Sequence, residues 1–500
     1  MIFLTSVLLL GITVAFCLWI EIRKWYLNCT KLRAYSKLKE VPIFGIGGRF
    51  IGQDNEASMQ SIEKLFYEKE QPFAAWFGPT IAIGIDDPED MYTILNADQC
   101  LDKPYLYSHL RNETGLFSSG KELWKQHRRA LNPTFNTKIM NSFIPTFNRK
   151  AKILVQQLEK HIGTPFDIYR PVFKALTDMI MNTGLGMNWE LQTKRGDDLH
   201  DIFIEVMSSF QSRVVRFWYK WDFVYNLTKA CKRELVLLEQ GYRVLRSVRE
   251  VKEIELADKL EKGDDILEKS KAENSLTWIQ KCFLMYREGT FTEQNLIEEI
   301  DTIFVGGTDT TTTTISCTLI MLAIYPEFQE KVVAELHEVF DDVDSSVTYE
   351  DVSKLNYLEM VIKESLRHFP VGPFIARKAS TDFPFKGGII PKDSFILLNI
   401  AKMHKDPKYW GDKANDFYPE HFLPENFSKM HPYTFLAFSG GPRNCIGIKY
   451  AWYVAKIMLA HLLRRYKFTT HLKYEDIRTK VNIILKIANE NPICVERRDW

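Results

Sequence analysis

The sequence predicts a mainly α-helical chain with small β-sheets, preceded by a single N-terminal transmembrane helix, and three stretches carry that prediction. Residues 2–20 hold no charge and are mostly Leu, Ile, Val, Phe and Trp, about the length a helix needs to cross a bilayer. A second apolar run follows Thr290-Phe291-Thr292-Glu293, whose spacing suits a capping box, and continues through Ile324 until Tyr325-Pro326 stops it. That is about 33 residues, enough at 1.5 Å per residue to traverse a whole domain. Third, Gly440-Gly441-Pro442 forces a tight, non-helical backbone just before Cys445, and helical periodicity resumes from Ile448 to Leu463.

Composition narrows the classes. Hydrophobic residues make up 45% and aromatics 13%, ample for a large core, and 26% charged residues is ordinary for a folded chain, so disorder is excluded. A formal charge of +1 leaves no global basic field, which excludes nucleic acid as the main partner; an electrostatic partner has to read a local patch. The eight cysteines (Cys17, Cys29, Cys100, Cys231, Cys282, Cys317, Cys445, Cys494) lack CxxC pairs, so neither a zinc site nor a disulfide framework is indicated and a reducing compartment fits.

Residues 1–22 read as a signal anchor rather than a cleaved signal peptide, because no basic region precedes the apolar run and the run exceeds the usual ~7–15 residues. Arg23, Lys24, Lys31, Arg33, Lys37 and Lys39 crowd its C-terminal side, which by the positive-inside rule leaves the main body cytosolic. Residues 23–50 form a basic flank and hinge, with Pro42, Gly45, Gly47 and Gly48 as its punctuation, and residues 51–500 form the body. The sequons at Asn28, Asn112, Asn226 and Asn426 are then coincidental, since cytosolic residues never meet the glycosylation machinery.

Along the body, a helix is expected over 57–68. Phe73–Phe77 and Thr80–Ile85 read as a hairpin around Gly78-Pro79, and Pro88-Glu89-Asp90 opens a helix, since Pro is tolerated at its first position and acids suit its first turn. Residues 104–120 are irregular. A helix starts at Glu122 and sets Trp124 and Arg128 on one face. Helices over about 199–213 and 229–260 flank residues 216–225, where Trp and Tyr alternate with Lys and Arg, a pattern shared by core packing and by membrane interfaces. The charged run 249–274 reads as a solvated face and loop, and residues 481–487 as a strand.

Chemistry concentrates at Cys445. Unpaired N–H groups and the positive end of the following helix favour a thiolate there, and Arg443 adds a full charge two residues upstream. Such a sulfur is a nucleophile or a metal ligand. Gly306 and Gly307 sit inside the long apolar helix at about 1 kcal/mol each against Ala, so either close helix packing or a groove for a guest benefits from the missing side chains. Glu364 and Arg367 stand one turn apart, in the register of a helical ion pair.

Phe438, Gly441, Arg443, Cys445 and Gly447 fill every fixed position of Phe-x-x-Gly-x-Arg-x-Cys-x-Gly, and the chain resembles the cytochrome P-450 family, in its microsomal, insect-like family-4 clan. The resemblance implies that family's fold, with Cys445 as the ligand of a haem iron whose thiolate donates density that favours O–O cleavage. It further implies that Trp124, Arg128, Arg377 and Arg443 meet the haem propionates, that Thr310 and Asp309 deliver protons, and that Glu364–Arg367 is a buried structural pair. His421 stands where the family usually has an arginine completing that pair, and a neutral imidazole lacks the bidentate fork. Gly306 replaces the glutamate that esterifies the haem in many family-4 members, so haem b is expected to be held non-covalently.

The implied activity is a monooxygenase reaction that inserts one atom of O2 into a lipophilic substrate, a fatty acid, hormone or xenobiotic. No Gly-rich nucleotide motif is present, so electrons are expected from NADPH through a reductase at the endoplasmic reticulum membrane, docking on Lys125, Arg128, Arg129 and Lys449, with cytochrome b5 as a further partner. Two other classes share the cysteine loop: a thiolate-haem isomerase or dehydratase, and a non-enzymatic haem sensor. Asp309 and Thr310 speak against the isomerase or dehydratase, and substrate-dependent oxygen uptake with reductase and NADPH separates an enzyme from a sensor.

Overall fold

Helices make up most of this computed structural model, which describes residue 19 and residues 23–40, 44–194, 197–490 and 492–500. The anchor expected over 1–22 lies outside the described residues apart from Trp19; among the described residues no helix is long and apolar enough to cross a membrane. Residues 23–31 are helical, and the Trp25 ring stacks at 6.3 Å on Trp76 of the body.

The long apolar run forms the helix Glu293–Ile324, which packs against Tyr169–Thr183, Asn356–His368 and Ile448–Arg465. A helix apolar on every side belongs in the interior, and Leu319, Ile320, Met321 and Leu322 are fully buried. Its capping box lies two residues later than the sequence suggests: Thr292 N–H donates to Asn295 Oδ1 at 2.9 Å and Asn295 N–H to Thr292 Oγ1 at 3.2 Å. Phe291 is drawn out of the helix because its ring is buried against His127, 4.5 Å between centroids. Pro326 ends one helix and opens the next, Pro326–Val339.

A five-stranded sheet runs in the order Ser36–Lys37, Phe73–Phe77, Thr80–Ile85, Phe395–Asn399, Phe374–Lys378. The hairpin Phe73–Phe77/Thr80–Ile85 forms in the expected register, and Arg377 pairs with Ile396 across the antiparallel edge. Lys378 N–H donates to Asp102 O at 2.8 Å, which brings residues 102–104 beside Arg377.

Several boundaries move. The first body helix is Asn55–Leu65, with Asp54 accepting from Ala57 N–H at its start. Residues 249–274 contain more helix than expected, Lys229–Glu261 followed by Ile266–Ala272, the second capped by Asp265. Residues 481–487 are the heart of a hairpin, Thr479–Asn482 with Ile484–Ile487, split by Ile483 at φ 68°. The aromatic segment divides: Phe217 is buried against Phe77, whereas Phe223 and Leu227 are 71% and 83% exposed.

Candidate active site

The cysteine loop is shaped by contacts that only glycine permits. Gly441 has φ 68°, and a Cβ there would lie 2.2 Å from Leu95 O; Gly440 is pressed on the Tyr433 ring. Cys445 N–H donates to Phe438 O at 3.0 Å, closing the loop, and the helix Ile448–Arg465 begins after Gly447. The cation beside the sulfur is Arg128 rather than Arg443. Arg128 donates to Asn444 O at 2.6 Å and to Asn444 Oδ1 at 2.8 Å, bracing the loop from the helix Lys121–Leu131.

Cys445 is accessible to a probe, yet burial is the main influence on its thiol and pushes it above the ordinary value, against the Gly447 N–H and Arg128, which lower it. Both observations hold for a side chain that faces an interior hollow, ringed by protein but open to a guest. A positive partner seated beside the sulfur would offset that desolvation and favour the thiolate.

On the long helix the two glycines have different jobs. A Cβ on Gly307 would lie 2.6 Å from Ile180 Cδ1, so this glycine lets two helices approach; Gly306 is exposed and meets nothing within 4 Å. Only Gly306 opens space. One turn on, Thr310 donates its hydroxyl proton back to Gly306 O at 2.7 Å, the usual resting place of a helical threonine. Asp309 is buried and engaged elsewhere. Its Oδ1 accepts from Tyr169 Oη and from Lys486 Nζ at 2.9 Å, and Lys486 Nζ also reaches Tyr169 Oη at 2.9 Å. This cluster ties the long helix to Tyr169–Thr183 and to the C-terminal hairpin, so the acid is not directed at the space beside Gly306.

The strongest sign of a guest is an uncompensated cluster of cations. Arg377 is 1% exposed and, among the described residues, hydrogen-bonds only to Ala376 O at 3.2 Å, with Nε unpartnered. Arg443, 7% exposed, donates to Leu101 O at 2.8 Å and Ser119 O at 2.6 Å, lies 5.2 Å over the Trp124 ring, and likewise has an unpartnered Nε. Burial, and then repulsion from Arg377, pull the Arg443 guanidinium down to about 9. Lys103 joins them: burial lowers its ammonium well below the ordinary value, and Arg377 and Arg443 lower it further.

Among the described residues no carboxylate forms an ion pair with any of the three. Buried charges are expensive without partners. A group that brings its own carboxylates into the hollow and carries a metal ion to meet Cys445 satisfies both demands, and an iron porphyrin with two propionates has that chemistry.

Glu364 and Arg367 are both fully buried and form a bidentate pair, Nε–Oε2 at 2.8 Å and Nη2–Oε1 at 2.6 Å. His421 occupies the expected third position, its Nδ1 3.2 Å from Glu364 Oε1. What the imidazole lacks is supplied around it. Tyr418 N–H donates to Glu364 Oε1 at 2.8 Å, His368 Nε2 lies 3.4 Å away, and Arg367 donates to His404 O, Ala414 O and Asp416 O. The Glu364 carboxyl is held well below its usual range: burial alone would raise it, and the hydrogen bonds from Arg367, His368 and His421 prevail.

Lys103, Tyr169, Lys486 and His368 were not singled out by the sequence. None belongs to a local pattern; each acquires its setting from contacts between distant segments.

The cytochrome P450 family model matches residues 37–495. The chain is 31% identical to probable cytochrome P450 313a4 of Drosophila melanogaster over 87% of its length and 88% of that protein. It is 30% identical to cytochrome P450 4c21 of Blattella germanica over 92% of each, and 30% identical to human cytochrome P450 4V2 over 94% of this chain and 90% of that one. A match spanning nearly the whole body, with insect and mammalian family-4 relatives at this identity, accounts for the cysteine loop and the cation cluster together: the chain belongs to the cytochrome P450 family and is a haem-dependent monooxygenase.

Proposed function

We propose that this monooxygenase inserts one atom of O2 into a lipophilic substrate while anchored by residues 1–22 in the endoplasmic reticulum membrane. Residues 23–50 serve as flank and hinge and residues 51–500 as the cytosolic catalytic domain. NADPH supplies electrons through a flavoprotein reductase, with cytochrome b5 as an accessory donor. The observation that carries the reading is the pairing of Cys445 in a hollow with a buried cation cluster that has no carboxylate of its own.

Haem b, once bound, supplies dioxygen activation at its iron. Cys445 Sγ would hold the haem iron, and the Gly447 N–H hydrogen-bonds that sulfur. Arg377 Nε and Arg443 Nε, with Lys103, would neutralise the haem propionates, while Trp124 carries the Arg443 guanidinium on its ring and Arg128 braces the loop through Asn444. Gly306 leaves the haem non-covalent because it offers no carboxyl for an ester. Thr310 gives up its bond to Gly306 O and holds a proton at Oγ1 toward the hollow. Asp309 would recharge it only after leaving Tyr169 and taking up a proton, from Lys486 Nζ or from solvent, in place of its ion pair. Phe438 packs on Trp452, 5.8 Å between ring centroids, and shields the sulfur side.

The exposed Phe223 and Leu227 support a lipid-facing roof through which an apolar substrate enters. The exposed Arg129 and Lys449 support a docking face for an acidic redox partner, with Lys125 sharing Asp98 at 3.0 Å. Charge reversal at Arg129 and Lys449 is expected to slow reduction and weaken its salt dependence; unchanged rates exclude that face.

Cys445→Ala tests the central claim. The variant is expected to lose both the absorption of the CO-bound, thiolate-ligated ferrous haem and NADPH-supported oxidation of lipids and xenobiotics. If both persist, the reading fails.

A further inference from the structure

A basic cleft lies between the helical residues 23–31 and the strand ends of the five-stranded sheet, touching the cation cluster of the cysteine hollow only through Lys103. It measures about 340 Å³, and its walls hold five lysines, Lys24, Lys103, Lys220, Lys378 and Lys392, against one aspartate, Asp393. The lysines come from five separate segments. A second hollow of about 350 Å³ shares Lys24 and Lys392 and continues the trough past Arg23 and Lys31, toward Trp19. There Lys31 is paired with Asp382 at 2.6 Å, so the excess of positive charge lies in the first cleft.

Lys103 belongs to the cation cluster of the cysteine hollow, so four further lysines and one aspartate set the charge of the cleft, and a concave surface with that excess concentrates negative ligands. A second observation points the same way. Ser394 lines the cleft, is 1% exposed, and has an Oγ with no hydrogen-bond partner. A buried hydroxyl without a partner is costly, and an oxyanion seated against it would accept its proton.

The location selects the kind of anion. Lys24 stands two residues beyond the segment assigned to the membrane, and Trp25 on Trp76 fixes the 23–31 helix to the body, so the cleft opens at the level where the chain leaves the bilayer. We propose that this cleft binds the phosphomonoester headgroup of an anionic phospholipid. The assignment rests on the anchored orientation proposed above. A choline or ethanolamine headgroup brings a cation into a surface already positive and is disfavoured, whereas a phosphomonoester brings up to two negative charges and acceptor oxygens for Ser394 and the lysines.

Full-length protein in a neutral detergent, titrated with dioleoyl phosphatidic acid or dioleoyl phosphatidylcholine and read by native mass spectrometry, tests it. Wild type is expected to retain phosphatidic acid at least about thirtyfold more than phosphatidylcholine. Each cleft lysine is expected to contribute about fivefold, so Lys378→Gln with Lys392→Gln lowers retention about thirtyfold. Lys392→Gln alone, at an exposed position, lowers it about fivefold and keeps the test open if the pair folds poorly. Lys429→Gln with Lys467→Gln, exposed lysines that do not line the cleft, is the control for net charge and is expected to change retention less than about twofold.

Equal retention of the two lipids by wild type, or an equal fall in cleft and control variants, overturns the proposal. Full displacement of phosphatidic acid by millimolar inorganic phosphate overturns the lipid assignment in favour of a soluble oxyanion. Alkaline carbonate extraction of native membranes reports on the anchor separately. A chain that resists extraction without headgroup selectivity sinks this inference alone, and one that is extracted yet selective sinks the anchor alone.

Discussion

Glu364→Gln is the substitution whose outcome the structure specifies most closely. It keeps the side-chain volume and one acceptor but removes the only carboxylate that contacts the buried Arg367 guanidinium among the described residues. Arg367 is fully buried, and three backbone carbonyls already take its remaining N–H groups, so no rearrangement brings another anion to it. Breaking a buried pair in this way costs about 3–5 kcal/mol, most of it the uncompensated charge. At about 2.1 cal/mol/K per residue, a body of about 450 residues unfolds with about 1 kcal/mol/K, so the midpoint should fall by about 3–5 °C. Thermal unfolding followed by circular dichroism at neutral pH reads that shift.

The pH dependence sharpens the test. Glu364 titrates well below its unfolded value, so the stability it confers is complete above the unfolded value and drains away as pH falls through the depressed folded one. The gap between wild type and variant should be constant from about pH 8 to 5 and narrow below about pH 4. A midpoint change under about 1 °C, or a gap that widens in acid, refutes the argument that the pair is buried and charge-coupled.

Four more outcomes follow from the same kind of reasoning. His109 and His404 are buried and held neutral down to about 3, as is His461, and His368 down to about 4, so each resists a proton that the unfolded chain accepts below about 6.5. Stability should therefore drop as pH falls through 6.5, by up to about 2 kcal/mol per histidine at pH 5, seen as an acid-side slope in the melting midpoint. Gly307→Ala should destabilise by about 1–3 kcal/mol through its clash with Ile180, whereas Gly306→Ala should leave stability equal or up to about 1 kcal/mol higher while lowering haem content or turnover; denaturant titration and the haem absorbance separate them. Lys486→Met leaves Asp309 buried without its cation and should destabilise by about 3 kcal/mol, and adding Asp309→Asn should recover part of that loss in a double-mutant cycle. His421→Ala should lose about 1–2 kcal/mol, less than Glu364→Gln, because one hydrogen bond to the carboxylate goes while the guanidinium remains.

What the sequence made legible was whatever one short stretch determines by itself. The cysteine loop could be read because Gly440, Gly441 and Pro442 leave the backbone few options, and the hairpin at Phe73–Ile85 because alternation and Gly78-Pro79 fix its register. The capping box slipped by two residues because Phe291 found a better place against His127, a tertiary contact that local spacing does not encode. The reading of the two middle glycines offered helix packing or an open groove as alternatives, and the structure uses one glycine for each.

Electrostatics was least legible. Arg443 lies two residues from Cys445 in sequence but turns toward Leu101 and Ser119, while Arg128, more than three hundred residues away, lies beside the sulfur. Lys103 gave no signal, since a lysine before a proline matches no pattern; it gains a role only because Lys378 N–H binds Asp102 O and sets it next to Arg377. Three cations gathered from distant segments, none in an ion pair among the described residues although the Asp102 charge reaches Arg443, are a feature of the folded structure alone. That imbalance identifies the guest's charge more directly than any motif: a fold tolerates such a cluster only where a polyanion completes it.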